Sequence, residues 1–281
     1  MRIDAAKHVP KPFWNSFQAS VNVFTIGEVY DNTSANTCIY MTNALDSILN
    51  YPLWYAASNI LSDPKASMTG MQAKYQENAD SCQDTTLLGT FSENHDVSRF
   101  GNHTTDMALL KNALAFTIMS DGIPIVYYGA EQAFTGGSDP YNREALWTSG
   151  YPTNSPLYTH IATLNTARNV IKQLATFTYW TPFWTYKTKV VLAKDDVLIL
   201  RKGYDHSIVT MLTNRGSSAG KIGPYEVADT NFNEGDTIVE VLACTSMVVG
   251  PYGNFNVTLP AGGLPMVSNI RNSLFHTREL Y

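Results

Sequence analysis

The sequence predicts an α/β protein in which part of a parallel (β/α) barrel is followed by an antiparallel β-sandwich. Three observations carry that reading. Short apolar, β-branched runs alternate with helical stretches through the first two thirds of the chain, and strands alternating with helices build a parallel sheet. Those runs are apolar almost throughout, with polar residues only at their C-terminal ends, as expected of strands covered on both faces in a closed barrel. Beyond about Thr185 the texture changes to short alternating runs separated by Gly- and Asn-rich turns, the pattern of a sandwich.

In chain order, residues 21–29 (Val-Asn-Val-Phe-Thr-Ile-Gly-Glu-Val) read as a buried strand that delivers Glu28. Residues 86–92 and 122–128 repeat the pattern, and apolar helices are expected near 106–119 and 157–172. Sandwich strands are expected at 189–193, 197–202, 207–213, 237–242 and 255–259. The domain boundary falls between 180 and 188, giving a barrel portion 1–185 and a sandwich 186–281.

With 281 residues, 44% hydrophobic and 15% charged, the chain has the composition of a soluble globular protein with a sizeable core. A formal charge of −5 and the lack of a basic stripe exclude a nucleic-acid partner. Lys111 and Asp121 bracket the longest apolar stretch, so no run reaches the roughly 18 to 20 residues of a membrane span. Sixteen Tyr, 12 Phe and 5 Trp supply faces on which sugar rings could stack, although aromatics also fill ordinary cores. Three sequons, at Asn32, Asn102 and Asn256, suit a secreted glycoprotein whose export signal lies upstream of Met1. An odd cysteine count (Cys38, Cys82, Cys244) means a free thiol or a partner elsewhere.

The chemistry lies in three carboxylates at the ends of apolar runs, in Arg2-Ile3-Asp4, Gly27-Glu28 and Glu93-Asn94-His95-Asp96. Retaining glycoside hydrolysis needs two carboxyl groups about 5 to 5.5 Å apart, one the nucleophile and one the acid/base. Residues at the C-terminal ends of barrel strands converge on one mouth whatever their separation in sequence. Arg2 precedes Asp4 by two positions and shares its strand face, so its guanidinium keeps Asp4 ionised, as a nucleophile must be. Glu28, flanked by the anions Asp4 and Asp96, has its pKa raised, as an acid must. The plainer reading of each motif alone is a structural Arg2–Asp4 ion pair, a helix-capping Glu28 and a polar loop at His95-Asp96. Position 4 leaves no room upstream for the rest of a barrel, so the sequence reads as a fragment of an enzyme.

At these residues the chain resembles the α-amylase family of glycoside hydrolases, and most of all its fungal secreted members. Arg2-Ile-Asp-Ala-Ala-Lys-His8 resembles the strand-4 motif of that family, Gly27-Glu28-Val29 its strand-5 motif and Glu93-Asn-His-Asp96 its strand-7 motif. Similarity continues through Tyr127-Tyr128-Gly129, Gly136-Gly-Ser-Asp-Pro140, Asn142-Arg143-Glu144 and Ala261-Gly-Gly-Leu-Pro265. The resemblance implies the C-terminal half of a (β/α)8 TIM barrel, strands 4 to 8, followed by the sandwich. It implies Asp4 as nucleophile, Glu28 as acid/base and Asp96 as stabiliser of the distorted sugar. Arg2 would hold Asp4 ionised and His95 would bind hydroxyls of the cleaved sugar. Lys7 and His8 would contact the leaving-group side, and Asp139 and Arg143 the non-reducing side. Tyr30, at a position that varies in the family, is a candidate aromatic contact. The His8 backbone carbonyl would be one ligand of a structural calcium, whose other ligands the resemblance places ahead of Met1. It also implies a Cys38–Cys82 disulfide, and for Cys244 a partner near the C-terminus, where 271–281 contain no cysteine. The implied partner is an α-glucan polysaccharide or maltooligosaccharide, cleaved internally at α-1,4 bonds by a secreted protein that is monomeric at full length. An α-1,4-glucanotransferase and a non-catalytic carbohydrate-binding remnant are the alternatives, and a half barrel alone should have little activity.

Overall fold

The computed structural model describes residues 1–179, 182–204 and 207–270. Five short strands form its parallel part: β1 (Arg2–Ile3), β2 (Ile26–Gly27), β3 (Ser47–Ile48), β4 (Gly89–Thr90) and β5 (Ile123–Pro124). β1 pairs with β2, β2 with β3 and β4 with β5, all parallel, and a bridge from Leu49 to Gly89 joins the two groups into one sheet. Helices cover the outside: α1 (Lys11–Val21), α2 (Ser34–Cys38), α3 (Tyr51–Leu61), α4 (Thr69–Ser81), α5 (Phe100–His103), α6 (Met107–Met119) and α7 (Pro156–Tyr179).

The strand expected over 21–29 begins only at Ile26, because Val21 closes α1, with Asn22 in a left-handed conformation (φ 48°) ending the helix. Phe13 and Phe17, one helical turn apart, stack at 6.1 Å, and buried Trp14 donates to the Ala6 carbonyl at 2.9 Å. Helical aromatic spacing and this anchor claim the segment, leaving Val23 and Phe24 exposed rather than in a strand. β3, α3 and α4 lie where the sequence reading placed no element. Asn50 caps α3 by accepting from the Leu53 amide at 3.2 Å, with a proline at the helix start.

The helices near 106–119 and 157–172 are present as α6 and α7. Asp106 caps α6, accepting from the amides of Ala108 and Leu109. Between its ends α6 is buried almost all round, which marks a helix with neighbours on every side. One neighbour is the second half of the chain. There β6 (Lys189–Ala193), β7 (Leu198–Lys202), β8 (Ile208–Leu212), β9 (Ile222–Val227), β10 (Thr237–Glu240), β11 (Thr245–Val248), β12 (Phe255–Leu259) and β13 (Met266–Ile270) form two antiparallel sheets. The larger has the order β11-β10-β13-β8-β7-β6, and the smaller pairs β12 with β9.

Strand periodicity links the two cores. On β7, Leu198 and Leu200 pack with the helices, whereas Ile199 belongs to the sandwich core with Val209, Val227, Phe255 and Val257. A sheet apolar on both faces therefore joins the two layers. Polar side chains tie the same junction. Buried Asn112 donates to the Gly263 carbonyl and accepts from the Thr213 amide at 2.8 and 2.9 Å, and Asn214 donates to the carbonyls of Ile60, Asp63 and Ala66. Lys202 on β7 meets Asp121 at 2.7 Å, both nearly buried, and Asp121 also accepts from Thr85.

The Cys38–Cys82 disulfide is formed, joining the end of α2 to the residue after α4. Closing a loop of this length stabilises by a few kcal/mol, chiefly by restricting the unfolded chain. The tail 271–281, bearing on a partner for Cys244, lies outside the described residues, as do residues 180 and 181 of the expected boundary. Among the described residues β1 and β5 each pair on one side only. Apolar Phe13, Val23 and Phe24 are exposed at the β1 end of the sheet, and Ile123, Val126 and Tyr128 at the β5 end.

Substituting Lys202 by Met is expected to cost about 3–5 kcal/mol in urea unfolding, because Asp121 stays buried without its cation. The double variant Lys202→Met, Asp121→Leu should regain most of that loss, and an equally destabilised double variant would show that the pair is not the source.

Candidate active site

Three of the acidic residues of the site follow the ends of parallel strands. β1 ends at Ile3 and hands over Asp4; β2 ends at Gly27 and hands over Glu28; β4 leads through Phe91 and Ser92 into the 93–100 loop with His95 and Asp96. Gly27 is required by packing, since a Cβ there would stand 2.3 Å from Leu45 Cδ1 and 3.3 Å from the Ala6 side chain. After Asp4 the chain turns through Ala5 in the left-handed region (φ 48°), a conformation that costs a non-glycine residue roughly 1–2 kcal/mol. The turn aims the Ala5 amide at Glu28 Oε2, 3.3 Å away.

Arg2 organises the acids. Its Nη1 contacts Asp4 Oδ1 at 2.9 Å, and its Nη2 contacts Glu28 Oε2 at 2.9 Å and Asp96 Oδ2 at 3.9 Å. Asp96 is held from the other side by His95 Nε2 at 3.0 Å and Arg143 Nη2 at 3.2 Å, and its own amide donates to Asn94 Oδ1. Arg143 in turn grips Asp139 at 2.6 Å and donates to the His95 carbonyl. The structure thus brings Arg2, Asp4, Glu28, His95, Asp96, Asp139 and Arg143 into one connected network.

The two strand-end carboxyls are tuned in opposite directions. The Asp4 side chain is 77% exposed, and its interaction with the neighbouring Glu28 carboxyl, reinforced by Arg2, holds it below the usual carboxylate range. The Glu28 side chain is 12% exposed, and burial first, then its interaction with the Asp4 carboxyl, pushes it up against the opposing pull of the Ala5 amide and Arg2. The sequence reading attributed the Glu28 shift to neighbouring anions; burial is the larger cause, with Asp96 only a minor contributor. Such an arrangement favours the ionised form of Asp4 and, relative to it, the protonated form of Glu28.

The remaining expected residues are placed less directly. Lys7 reaches the Tyr30 carbonyl at 3.2 Å and Asp31 at 2.8 Å, and this partner holds Asp31 down to about 2. His8 is exposed at the end of the Ala6–His8 turn. Tyr30 is exposed on one side and packs against Tyr51 at 4.6 Å and Tyr55 at 6.0 Å. For calcium the residues present do not suffice. A carbonyl at His8 is one oxygen of the six to eight that the ion takes, and among the described residues no group of three or more His, Cys, Asp or Glu is placed to hold a metal.

A support beneath the site centres on Arg99, which the sequence reading did not single out, although its partners Glu93, Tyr127, Tyr128 and Glu144 lie in the quoted motifs. Arg99 is fully buried, 3.0 Å from Glu93, 2.5 Å from Glu144 and 2.7 Å from the Tyr128 carbonyl, with the rings of Tyr127, Tyr128 and Phe134 around its guanidinium. Asn142, also fully buried, donates to the carbonyls of His95 and Val97 at 2.9 and 2.8 Å. These contacts lock the loop carrying His95 and Asp96 to the loop carrying Asp139 and Arg143. Burial pushes Glu93 up to about 7 in spite of Arg99.

A parallel (β/α) sheet whose strand ends present three carboxylates bridged by arginine has the layout of a barrel-type site suited to acid/base chemistry. The profile of the α-amylase catalytic domain matches residues 5–200 and that of α-amylase domain C matches residues 190–276. Alpha-amylase 1 of Schwanniomyces occidentalis is 39% identical over 95% of this chain and 51% of its own length, and the α-amylase of Saccharomycopsis fibuligera is 37% identical with the same coverage. The solved α-amylase of Malbranchea cinnamomea superposes with a TM-score of 0.89 at 41% identity, over 96% of this chain and 55% of that one. The chain belongs to the α-amylase family of glycoside hydrolases, and it spans about half the length of these relatives.

Replacing Arg2 by Gln should move the titrations of Asp4 and Glu28 both upward in carboxyl-carbon NMR, since the guanidinium favours the charged form of each; unchanged titrations would remove Arg2 from its role. Glu93 binds its proton more tightly folded than unfolded. The stability it contributes is therefore full below its ordinary value of 4.5 and is lost as pH rises through about 7. Glu93→Gln should flatten the melting temperature across that window, and an unaltered slope would contradict the assignment.

Proposed function

We propose that this chain carries the catalytic carboxylates of an α-amylase that cleaves internal α-1,4-glucosidic bonds of starch- or glycogen-type glucans with retention of configuration. The observation that carries the reading is the opposed tuning of Asp4 and Glu28 across Arg2. Asp4, ionised and exposed, attacks the anomeric carbon while Glu28 gives its proton to the departing glycosidic oxygen. A glycosyl ester on Asp4 results. Glu28, now a carboxylate, takes a proton from water as that water attacks the same carbon and frees Asp4. In this reading Asp96, with His95, binds hydroxyls of the distorted sugar and stabilises the positive charge on its ring. Asp139 and Arg143 hold sugars on the non-reducing side. Lys7 and His8 lie toward the leaving group, with Tyr30 offering an aromatic face.

The relatives named α-amylase support an α-glucan enzyme, and the same proposal takes it as extracellular, in line with the three sequons, and monomeric at full length. The same proposal divides the chain into a barrel portion 1–185 and a sandwich 186–281. Calcium enters only through oxygens additional to the His8 carbonyl, so no step above uses it. The open sides of β1 and β5 favour one further statement: the 281-residue chain alone has little or no activity, because only one side of the cleft is present to bind glucan.

Purified chain on soluble starch should release few reducing ends. Fused behind the N-terminal half of the Schwanniomyces occidentalis relative, it should hydrolyse starch to products that are initially α-anomers by proton NMR, and Asp4→Asn or Glu28→Gln should lower that rate at least about 10⁴-fold. Clear turnover by the chain alone would refute the statement on the fragment. Products longer than the maltooligosaccharide supplied would favour a glucanotransferase, and glucan binding without turnover in the fusion would favour a non-catalytic protein.

A further inference from the structure

The fold treats the three sequons differently. Asn32, Asn102 and Asn256 are all exposed. In the first sequon the Ser34 hydroxyl is buried and donates to Asn78 at 2.7 Å. In the second the Asn102 amide donates to the Thr135 carbonyl at 3.2 Å, and the Thr104 hydroxyl accepts from the Asp106 amide at 3.2 Å, just ahead of α6. In the third, Asn256 and Thr258 point from the same exposed face of β12, with buried Val257 between them facing the sandwich core. No hydrogen bond engages either side chain among the described residues.

Asn256 and Thr258 also line a groove of about 890 Å³ between β12, the β10–β11 hairpin and the outer side of α7. Its walls combine apolar Leu242, Met247, Leu264 and Met266 with Tyr158 and Thr163 of α7. That is the mixture a sugar carrying an acetamido methyl fills, with C–H faces on apolar side chains and hydroxyls toward Tyr and Thr.

We propose that Asn256 carries an N-linked glycan whose first N-acetylglucosamine residues lie in this groove, pinning α7 to the sandwich. The site rests on the extracellular reading above and not on catalysis. In the transfer, Asn256 Nδ2 bonds to the anomeric carbon of a lipid-pyrophosphate-linked oligosaccharide. The carbon–oxygen bond to the pyrophosphate breaks, the lipid pyrophosphate leaves with the electron pair, and one amide proton is lost. Thr258 supplies the hydroxyl that the transferase reads.

The chain expressed behind a yeast secretion leader, and recovered from medium or membranes, should give a glycopeptide at Asn256; glycosidase release in ¹⁸O-water should convert that residue to labelled Asp. Asn256→Gln and Thr258→Ala should lose the modification and lower the melting midpoint of the yeast protein by a few degrees, whereas Thr258→Ser should keep both. The same substitutions in protein made in the bacterial cytoplasm, which carries no glycan, should leave the midpoint unchanged. An unmodified Asn256 in the exported chain overturns the proposal. A glycan whose enzymatic removal leaves the midpoint unchanged overturns its seat in the groove. Both readouts are independent of starch hydrolysis, so failure of the catalytic reading is seen separately.

Discussion

Three carboxylates gathered at one mouth of a sheet repel one another, and Arg2 is the cation that reaches all three. Its two terminal nitrogens divide between Asp4 and Glu28 at the same distance of 2.9 Å, with Asp96 at 3.9 Å. Equal contact does not produce equal tuning, because the partners differ in exposure. Asp4 keeps its water and its charge, whereas Glu28 is covered and pays for ionisation in lost hydration. The opposed tuning of the two carboxyls follows from a difference in burial acting on a shared guanidinium. It requires that the strands hold both residues in place, and the tight packing at Gly27 and the left-handed turn at Ala5 do so.

The same problem recurs one layer deeper with a different solution. Arg99 is surrounded by aromatic rings and bonded to Glu93 and Glu144, so its charge is compensated without solvent. A buried ion pair is weak evidence for stability but strong evidence for specified geometry, since removing either partner leaves a charge stranded. Here the geometry specified is the relation between the Asp96 loop and the Arg143 loop. Lys202 and Asp121 perform a comparable task between β7 and the residues leading into β5. Position by position, cations from distant parts of the chain hold the acid-bearing loops and the sandwich in register.

The sheet that carries the site remains open at β1 and β5 among the described residues, with apolar side chains exposed near both edges. Unpaired edges template association with other strands. An active site at the mouth of a closed barrel uses loops from all around it, and this chain contributes those following five strands.

Much of this was legible in sequence. The three acidic motifs, the shared face of Arg2 and Asp4, helices α6 and α7, and the alternating strands from β6 onward all depend on local periodicity or spacing, which a one-dimensional pattern retains. The start of β2 was not legible, since Val21, Val23 and Phe24 look like strand residues until the helix that ends at Val21 is seen packed through Trp14. Nor was the dominant cause of the Glu28 shift, which is burial, or the role of Arg99, whose partners come from 6 residues before it and 45 after it. By itself the sequence determined which residues carry charge and which strand ends present them. Only the tertiary structure decided which of those charges lose their water and which cations face them, because desolvation and Coulomb interaction depend on distance in space rather than along the chain.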